Sequence, residues 1–292
     1  MSTATALRAG AETEAASLPA LLARAEHLAG SVLLGDHGRR RSGMGDDFWQ
    51  YRPAQPGDSR RMVDHRRSAR GDTEFVRERE WQIAQSVMFW VDQGASMRFT
   101  SNDNLPQKAD RARLLGLAAA ILLVRGGERV GLTGTALPPR RGNTQILRLA
   151  EMFTTDATDD YSPPEHRAMI PSARAVFVSD FMGDVSEVRL ALTKAADRGV
   201  RGVLLHLLDP SEEAFPFRGR TIFESVGGSL SHETLKASDL RDRYLDRLAS
   251  RKAELSELCA VTGWQYGLHH TDSTAQSALL WLYRALDTGS IR

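Results

Sequence analysis

Three acidic residues each follow a predicted strand, which is where α/β proteins place ligand-binding side chains. They are Asp92, Asp180 and Asp209. After the first of them, Gly94 and Ser96 take alternate positions in the following turn. An acid and a hydroxyl with this spacing can converge on a hard cation such as Mg²⁺, which takes oxygen ligands and keeps several waters. The chemistry that this pattern suggests is therefore cation binding at one edge of a sheet.

The turn after Asp92 resembles the metal-ion-dependent adhesion site of von Willebrand factor A domains, whose motif is Asp-x-Ser-x-Ser. Gly94 stands at the middle serine position and Ser96 at the last. The resemblance implies further ligands from Thr144, at the start of a later helix, and from Asp180. It thus implies a degenerate site for Mg²⁺ or Mn²⁺, with weak or absent binding because Gly94 supplies no oxygen. Replacing Gly94 by serine is expected to strengthen the binding.

Predicted strands and helices alternate from about residue 83 onward, and these elements would position the acidic residues. Apolar runs predict strands at 86–92, 129–132, 175–179, 200–208 and 264–269, with one or two short strands within 219–226. Helical spacing of apolar residues predicts helices at 108–124, 144–153, 185–198, 239–262 and 274–286. The alternation is typical of an α/β fold, a mostly parallel sheet with helices on both faces.

Three segments are predicted along the chain. Residues 1–16 are expected to form a flexible tail. Residues 17–82 are expected to hold an N-terminal helix and an Arg-rich element, and residues 83–292 a von Willebrand A-like, Rossmann-like domain.

The Arg-rich element carries several short motifs. It contains Gly35-Asp36-His37-Gly38-Arg39-Arg40-Arg41, Tyr51-Arg52-Pro53-Ala54-Gln55-Pro56-Gly57-Asp58, Arg60-Arg61-Met62-Val63-Asp64-His65 and Ser68-Ala69-Arg70. These motifs resemble the bacterial family called domain of unknown function 58, over roughly residues 30–215. Members of that family are linked to AAA+ ATPases of the MoxR type. The resemblance implies a non-enzymatic adaptor that works with such an ATPase, a client protein or both, in client assembly or maturation.

The charges of this element leave two interpretations open. Between Arg39 and Arg79 there are eleven arginines and seven acids, a local net charge of +4. Because guanidinium groups pair bidentately with carboxylates, the element could be an internal lattice of Arg–Asp pairs or a patch for an acidic partner. We expect it to be ordered. Its candidate interaction residues are Arg39, Arg40, Arg41, Arg52, Arg60, Asp64 and Arg70.

Two other classes of function compete with the adaptor. One is an Mg²⁺-dependent, phosphate-handling enzyme that uses Asp92, Asp180 and Asp209. Such an enzyme needs a general base or an activated nucleophile near the metal, and the sequence shows neither a Gly-x-Ser-x-Gly elbow nor a phosphate-binding loop. The other is nucleic-acid binding through the Arg-rich element, which the interleaved acids make unlikely. We therefore predict that the chain is not an enzyme.

The composition of the chain indicates its class of protein and its cellular compartment. The 292 residues are 41% hydrophobic and 26% charged, with a net charge of +1, as in ordinary globular proteins. Cys259 is the only cysteine, which excludes an intramolecular disulfide and fits a reducing cytosol. The longest apolar run, Leu114–Val124, is too short to span a bilayer. The sequence predicts a cytoplasmic protein that does not insert into membranes.

Overall fold

The structure of the chain is a computed structural model. It describes residues 18–32, 39–43, 47–55, 63–69, 71, 73–83, 85–155, 157–228 and 231–288. These residues form two compact units: the smaller lies within residues 36–85, and the larger combines the chain before residue 36 with residues 86–292. The predicted tail, residues 1–16, and the candidate interaction residues Arg60 and Arg70 lie outside the described residues.

The first described element, helix α1 (residues 18–30), belongs to the larger unit. Its residues Ala25 and Ala29 are buried in the main core of that unit, together with Val32. The predicted boundary, which grouped this helix with the Arg-rich element, therefore needs correction. The physical reason is that the apolar face of α1 needs a partner, and the core of the larger unit supplies it.

The smaller unit is a three-stranded antiparallel sheet. Strands β1 (Arg39–Gly43) and β2 (Asp47–Pro53) both pair with β3 (Phe75–Ile83), and a short helix, α2 (His65–Ser68), lies between β2 and β3 in sequence. No strand was predicted in this part of the sequence, whereas its described residues include three. Arginine stands where apolar residues would have revealed the two-residue period of a strand.

Asp64 has a definite local role in this unit. Its Oδ1 accepts hydrogen bonds from the backbone N–H groups of Arg66 and Arg67, both at 3.1 Å, so it caps α2. The Tyr51 hydroxyl donates to Asp64 Oδ2 at 3.1 Å, and the Arg67 guanidinium lies 4.3 Å from the centre of the Tyr51 ring. These contacts organise the turn between β2 and β3. A role of Asp64 in partner binding stays a prediction.

Five parallel strands form the central sheet of the larger unit. They are β4 (Ser86–Val91), β5 (Arg129–Leu132), β6 (Arg174–Ser179), β7 (Arg201–Leu208) and, after the short antiparallel hairpin of β8 (Thr221–Glu224) and β9 (Ser231–Thr234), β10 (Gln265–His270). Their order across the sheet is β10-β7-β6-β4-β5. An antiparallel bridge between Val130 and Arg140 adds one pair beside β5.

Helices cover both faces of this sheet. They are α3 (Lys108–Arg125), α4 (Asn143–Thr154), α5 (Val185–Asp197), α6 (Pro210–Ala214), α7 (Ser238–Thr262) and α8 (Ala275–Thr288). Residues of α1, α3, α4 and α8 pack on one face with Phe89 and Val178, and residues of α5 and α7 pack on the other with Trp90 and Phe177. The predicted Rossmann-like α/β fold is confirmed, while β9 and the five-residue α6 escaped prediction.

No helix within the described ranges is long and apolar enough to cross a bilayer.

Candidate functional site

The sheet has its topological switch point between β4 and β6. The connection that leaves β4 leads to β5 on one side, and β6 lies on the other side. Asp92 follows β4 and Asp180 follows β6, so both stand at the carboxyl edge where α/β proteins bind ligands. Both side chains are buried, Asp92 at 3% and Asp180 at 1% exposure. The structure thus brings together Asp92 and Asp180, and a third predicted ligand residue, Ser96, lies beside Asp180.

Asp92 has hydrogen-bond partners on both carboxyl oxygens. Oδ1 accepts from the backbone N–H of Gly94 at 2.7 Å, and Oδ2 lies 2.5 Å from Ser179 Oγ. Burial and the negative charge of Asp180 raise the pKa of Asp92 to about 7, although the hydrogen bonds from Ser179, Gly94 and Ser162 act in the opposite direction. Near neutral pH the Asp92 carboxyl is therefore divided between its protonated and its ionised form.

Asp180 is paired with a buried lysine. Lys108 Nζ donates to Asp180 Oδ2 at 2.8 Å, and the backbone N–H of Met182 donates to Oδ1 at 3.1 Å. Burial by itself would raise the pKa of Asp180, but the charge and the hydrogen bond of Lys108 outweigh it and the pKa is lowered. Asp180 is therefore ionised at neutral pH.

Lys108 has a second carboxylate partner in Glu212, whose Oε1 lies 2.7 Å from Nζ. Burial would lower the pKa of Lys108, but Asp180 and Glu212 together hold it above its usual value. The pKa of Glu212 is raised, mainly by burial. Lys108, Asp180 and Glu212 together form the Lys108 cluster. Because Lys108 is 1% exposed, this cluster contains a fixed, buried positive charge.

Asp209, the third acid of the sequence analysis, serves as a helix cap. Its Oδ1 accepts from Ser211 N at 2.8 Å and its Oδ2 from Ser101 N at 3.0 Å. The Glu212 side chain in turn accepts from Asp209 N at 2.7 Å, which completes a capping box at the start of α6. This box fixes the position of the Glu212 carboxylate that receives Lys108.

The described residues do not fit a divalent cation at this edge. An ammonium group already lies between Asp180 and Glu212, where a cation would have to bind both. No group of three or more histidine, cysteine or acidic side chains suited to a metal occurs within the described ranges. The Ser96 hydroxyl is buried and lies near enough to Asp180 to help lower its pKa, but it makes no hydrogen bond of ordinary geometry. The donor set is that of a buried ion-pair cluster.

Thr144, the remaining residue of the predicted ligand set, lies in the first turn of α4 with its side chain exposed. The hydroxyl that reaches Asp92 from a loop is that of Ser162. The segment that contains Ser162 also forms backbone hydrogen bonds with the turn after β4. Ala157 N donates to Gln93 O at 3.0 Å, and Ser96 N donates to Asp160 O at 2.9 Å. This segment covers the buried acids.

The segment that contains Asp160 and Ser162 passes so close to residue 94 that it leaves room only for glycine. A Cβ atom at Gly94 would lie 2.8 Å from the Asp160 carbonyl oxygen and 3.1 Å from both Asp92 Oδ1 and Ser162 N. The backbone angles at Gly94, φ −58° and ψ 152°, suit any residue, so the constraint is space and not conformation. A serine at this position would not supply the missing ligand without displacing backbone.

We accordingly expect Gly94→Ser to destabilise the larger unit by about 1–3 kcal/mol, as overpacking of a close contact does. It should give no gain in Mg²⁺ or Mn²⁺ binding. Urea unfolding followed by tryptophan fluorescence, and calorimetric titration with each metal, would measure the two effects. Gly30→Ser is the matched control, because a Cβ there meets no atom within 4 Å. Tighter metal binding by Gly94→Ser with unchanged stability would show that the close contact is wrong.

Sequence reasoning missed Lys108, although the chain carried a signal for it. Lys108 is the first residue of a mostly apolar helix, where the helix dipole disfavours a positive charge. A lysine at such a position suggests a nearby carboxylate partner. Its partners are separated from it by 72 and 104 residues, so the sequence could not identify them.

Comparisons with known proteins agree with the resemblance drawn from the Arg-rich motifs. No curated protein and no solved structure matches the chain. A family model described as "Protein of unknown function DUF58" matches residues 50–254. The matched range spans well over half of the chain and includes Asp92, Lys108, Asp180 and Glu212. The chain therefore belongs to the DUF58 family.

Proposed function

We propose that the chain is a non-enzymatic protein-interaction module that works in the cytoplasm with a MoxR-type AAA+ ATPase, a client protein or both. The observation that carries this proposal is the pairing of Lys108 Nζ with Asp180 at 2.8 Å and Glu212 at 2.7 Å. The charges of Lys108, Asp180 and Glu212 are already paired with one another inside the protein. They do not leave a carboxylate open to bind a catalytic metal or to activate water.

The phosphate-handling enzyme is the weaker alternative. Asp180 is ion-paired and both oxygens of Asp209 accept backbone hydrogen bonds, so two of its three proposed acids are already engaged. Asp92 has the perturbed pKa that is typical of active sites. Its burial and its two engaged oxygens, however, leave little room for a substrate.

The proposal also covers the cation at the carboxyl edge of the sheet. In a metal-ion-dependent adhesion site, the metal joins the protein to an acidic residue of its partner. In this chain we propose that the Lys108 ammonium takes the place of that metal as a fixed internal charge, and that partner binding is metal-independent. The Arg-rich element remains the proposed second contact surface, through Arg39, Arg40, Arg41 and Arg52 of β1 and β2.

A pull-down from the native cytosol tests the proposed function. The tagged chain is used as bait in parallel in Mg²⁺ and in EDTA, with an unrelated α/β protein of similar size as the control bait. We expect an AAA+ ATPase on this bait alone, in equal amounts under both conditions. Recovery only in Mg²⁺ would contradict metal independence. Failure to recover an ATPase, together with Mg²⁺-dependent release of phosphate from model phosphoesters by the chain, would favour the enzyme.

A further inference from the structure

An aromatic cavity of about 650 Å³ adjoins the Lys108 cluster. Its walls include Phe215, Phe217, Phe223 and Tyr244. The Phe215 ring centre lies 4.9 Å from that of Tyr244 and 5.2 Å from that of Phe217, and Phe217 lies 5.3 Å from Phe223. The volume is within the range of ligand-binding pockets, which is about 300–1,000 Å³. The rings come from the segment after α6, the β8–β9 hairpin and α7, so three parts of the chain converge on this space.

The rim of the cavity is basic. Arg243 and Arg247 lie four residues apart on α7, a spacing that places both on one side of the helix. Both side chains are exposed, and neither has an ion-pair partner among the residues that the structure describes. His232 of β9 also lines the cavity and can donate a hydrogen bond. The acid in the lining, Glu212, is already paired with Lys108.

Ser211 lines the cavity beside Glu212, but its hydroxyl is not open to a ligand. The hydroxyl oxygen is buried, and the side chain lies near enough to Asp209 to help lower the pKa of that carboxyl. Apolar walls and two exposed guanidinium groups at the rim complement a ligand with an aromatic or aliphatic body next to a carboxylate.

We infer that this cavity binds a segment of a partner protein in which a large apolar side chain, preferably aromatic, lies next to one or more aspartates or glutamates. The inference rests on the proposed function and names the chemistry of the partner. The apolar side chain enters the cavity and packs against the rings of Phe215, Phe217 and Tyr244 that line it. The acidic neighbours pair with Arg243 and Arg247, whose planar groups suit carboxylates.

The surroundings of the cavity favour a protein segment over a small molecule. Apolar side chains remain exposed at the two ends of the hairpin that forms one wall: Val226 at 45% after β8 and Leu235 at 79% beyond β9. A small ligand inside the cavity would leave these side chains in water, whereas a chain segment that continues past the rim can cover them. Exposed apolar groups beside a polar rim are typical of protein-binding surfaces.

Selection from a random peptide library displayed on phage tests the inference on the full chain, with the double variant Arg243→Glu/Arg247→Glu for counter-selection. Enriched peptides should combine an aromatic or large aliphatic residue with adjacent Asp or Glu. Synthetic versions should bind the double variant at least about tenfold more weakly, the loss expected for about 1.4 kcal/mol of charge-assisted pairing. Arg241→Glu reverses one charge on the same helix outside the cavity, half the change of the double variant, and should keep the wild-type affinity.

Several results would overturn the inference. Enriched peptides without acidic residues, or equal binding by the double variant when its thermal melt matches that of the wild type, would show that the rim does not select the ligand. Tight binding of dodecanoate, a small apolar carboxylate, with no enriched peptide would identify a small-molecule site instead. The selection uses no ATPase. A failed pull-down with a successful selection would therefore count against the proposed function alone, and the converse against this cavity alone.

Discussion

Replacing Lys108 by methionine should lower the free energy of unfolding of the larger unit by about 3–5 kcal/mol, the usual cost of removing one partner from a buried ion pair. Methionine keeps most of the apolar stem but leaves the Asp180 and Glu212 carboxylates without their cation. The side chains of Lys108 and Asp180 are 2% and 1% exposed, so water cannot replace the lost ammonium. Urea unfolding followed by tryptophan fluorescence would measure the loss.

Two comparisons make this result specific to the Lys108 cluster. Lys194→Met removes an exposed lysine from α5 and should change stability by less than about 1 kcal/mol. Adding Asp180→Asn to Lys108→Met removes one of the two stranded charges and should recover part of the lost stability. If Lys108→Met is no more harmful than Lys194→Met, the buried ion pair does not exist as described.

Thermal melts of the wild-type chain in Mg²⁺ test whether a divalent cation binds at the Lys108 cluster. A ligand that binds only the folded state raises the melting temperature as its concentration rises. We expect millimolar Mg²⁺ to leave the melt of the wild-type chain unchanged, since Lys108 already lies between Asp180 and Glu212. A concentration-dependent increase in the wild type would show that a divalent cation competes with the ammonium after all.

The strands and helices of the larger unit could be predicted because their signals are local. The apolar run at 201–208 and the helical spacing at 108–125 each fall within one element, so neither needs knowledge of the rest of the chain. The positions of Asp92 and Asp180 followed from the same information, because parallel strands bring their carboxyl ends to one edge. In the smaller unit, by contrast, arginine-rich strands concealed the period on which such predictions depend.

The identity of the cation could not be predicted because it depends on contacts between distant parts of the chain. Asp180 and Lys108 are 72 residues apart, and only the folded sheet shows that the start of α3 faces the end of β6. Gly94 illustrates the same limit. In the sequence it looked like a lost metal ligand, whereas in the structure it makes room for the Asp160 carbonyl oxygen. The resemblance to the adhesion-site motif indicated where the acidic residues meet. Contacts between distant parts of the chain determine that the cation beside them is Lys108.

Asp92→Asn should remove a pH-dependent loss of stability from the larger unit. The pKa of Asp92 is about 7 in the folded chain, against 3.8 for an unperturbed aspartate. Below about pH 4 the carboxyl is protonated in both states, and its contribution to stability is fully present. As the pH rises from about 4 to 7, the unfolded chain releases the proton that the folded chain retains, so stability falls. Above about pH 7 the effect is constant, and its total is at most about 4 kcal/mol at 1.4 kcal/mol per pKa unit.

The asparagine variant isolates this contribution because it preserves the geometry. Its amide oxygen can accept from Gly94 N, and its amide nitrogen can donate to Ser179 Oγ. We expect the stability of Asp92→Asn relative to wild type, from urea unfolding at several pH values between 4.5 and 7.5, to increase steadily with pH. Asp184→Asn is the control. The Ser186 backbone N–H lowers the pKa of exposed Asp184, so its contribution is lost only as the pH falls below this range, and its difference from wild type should be flat. A flat difference for Asp92→Asn as well would mean that Asp92 is ionised throughout, and that the acid beside the Lys108 cluster is solvated and not buried.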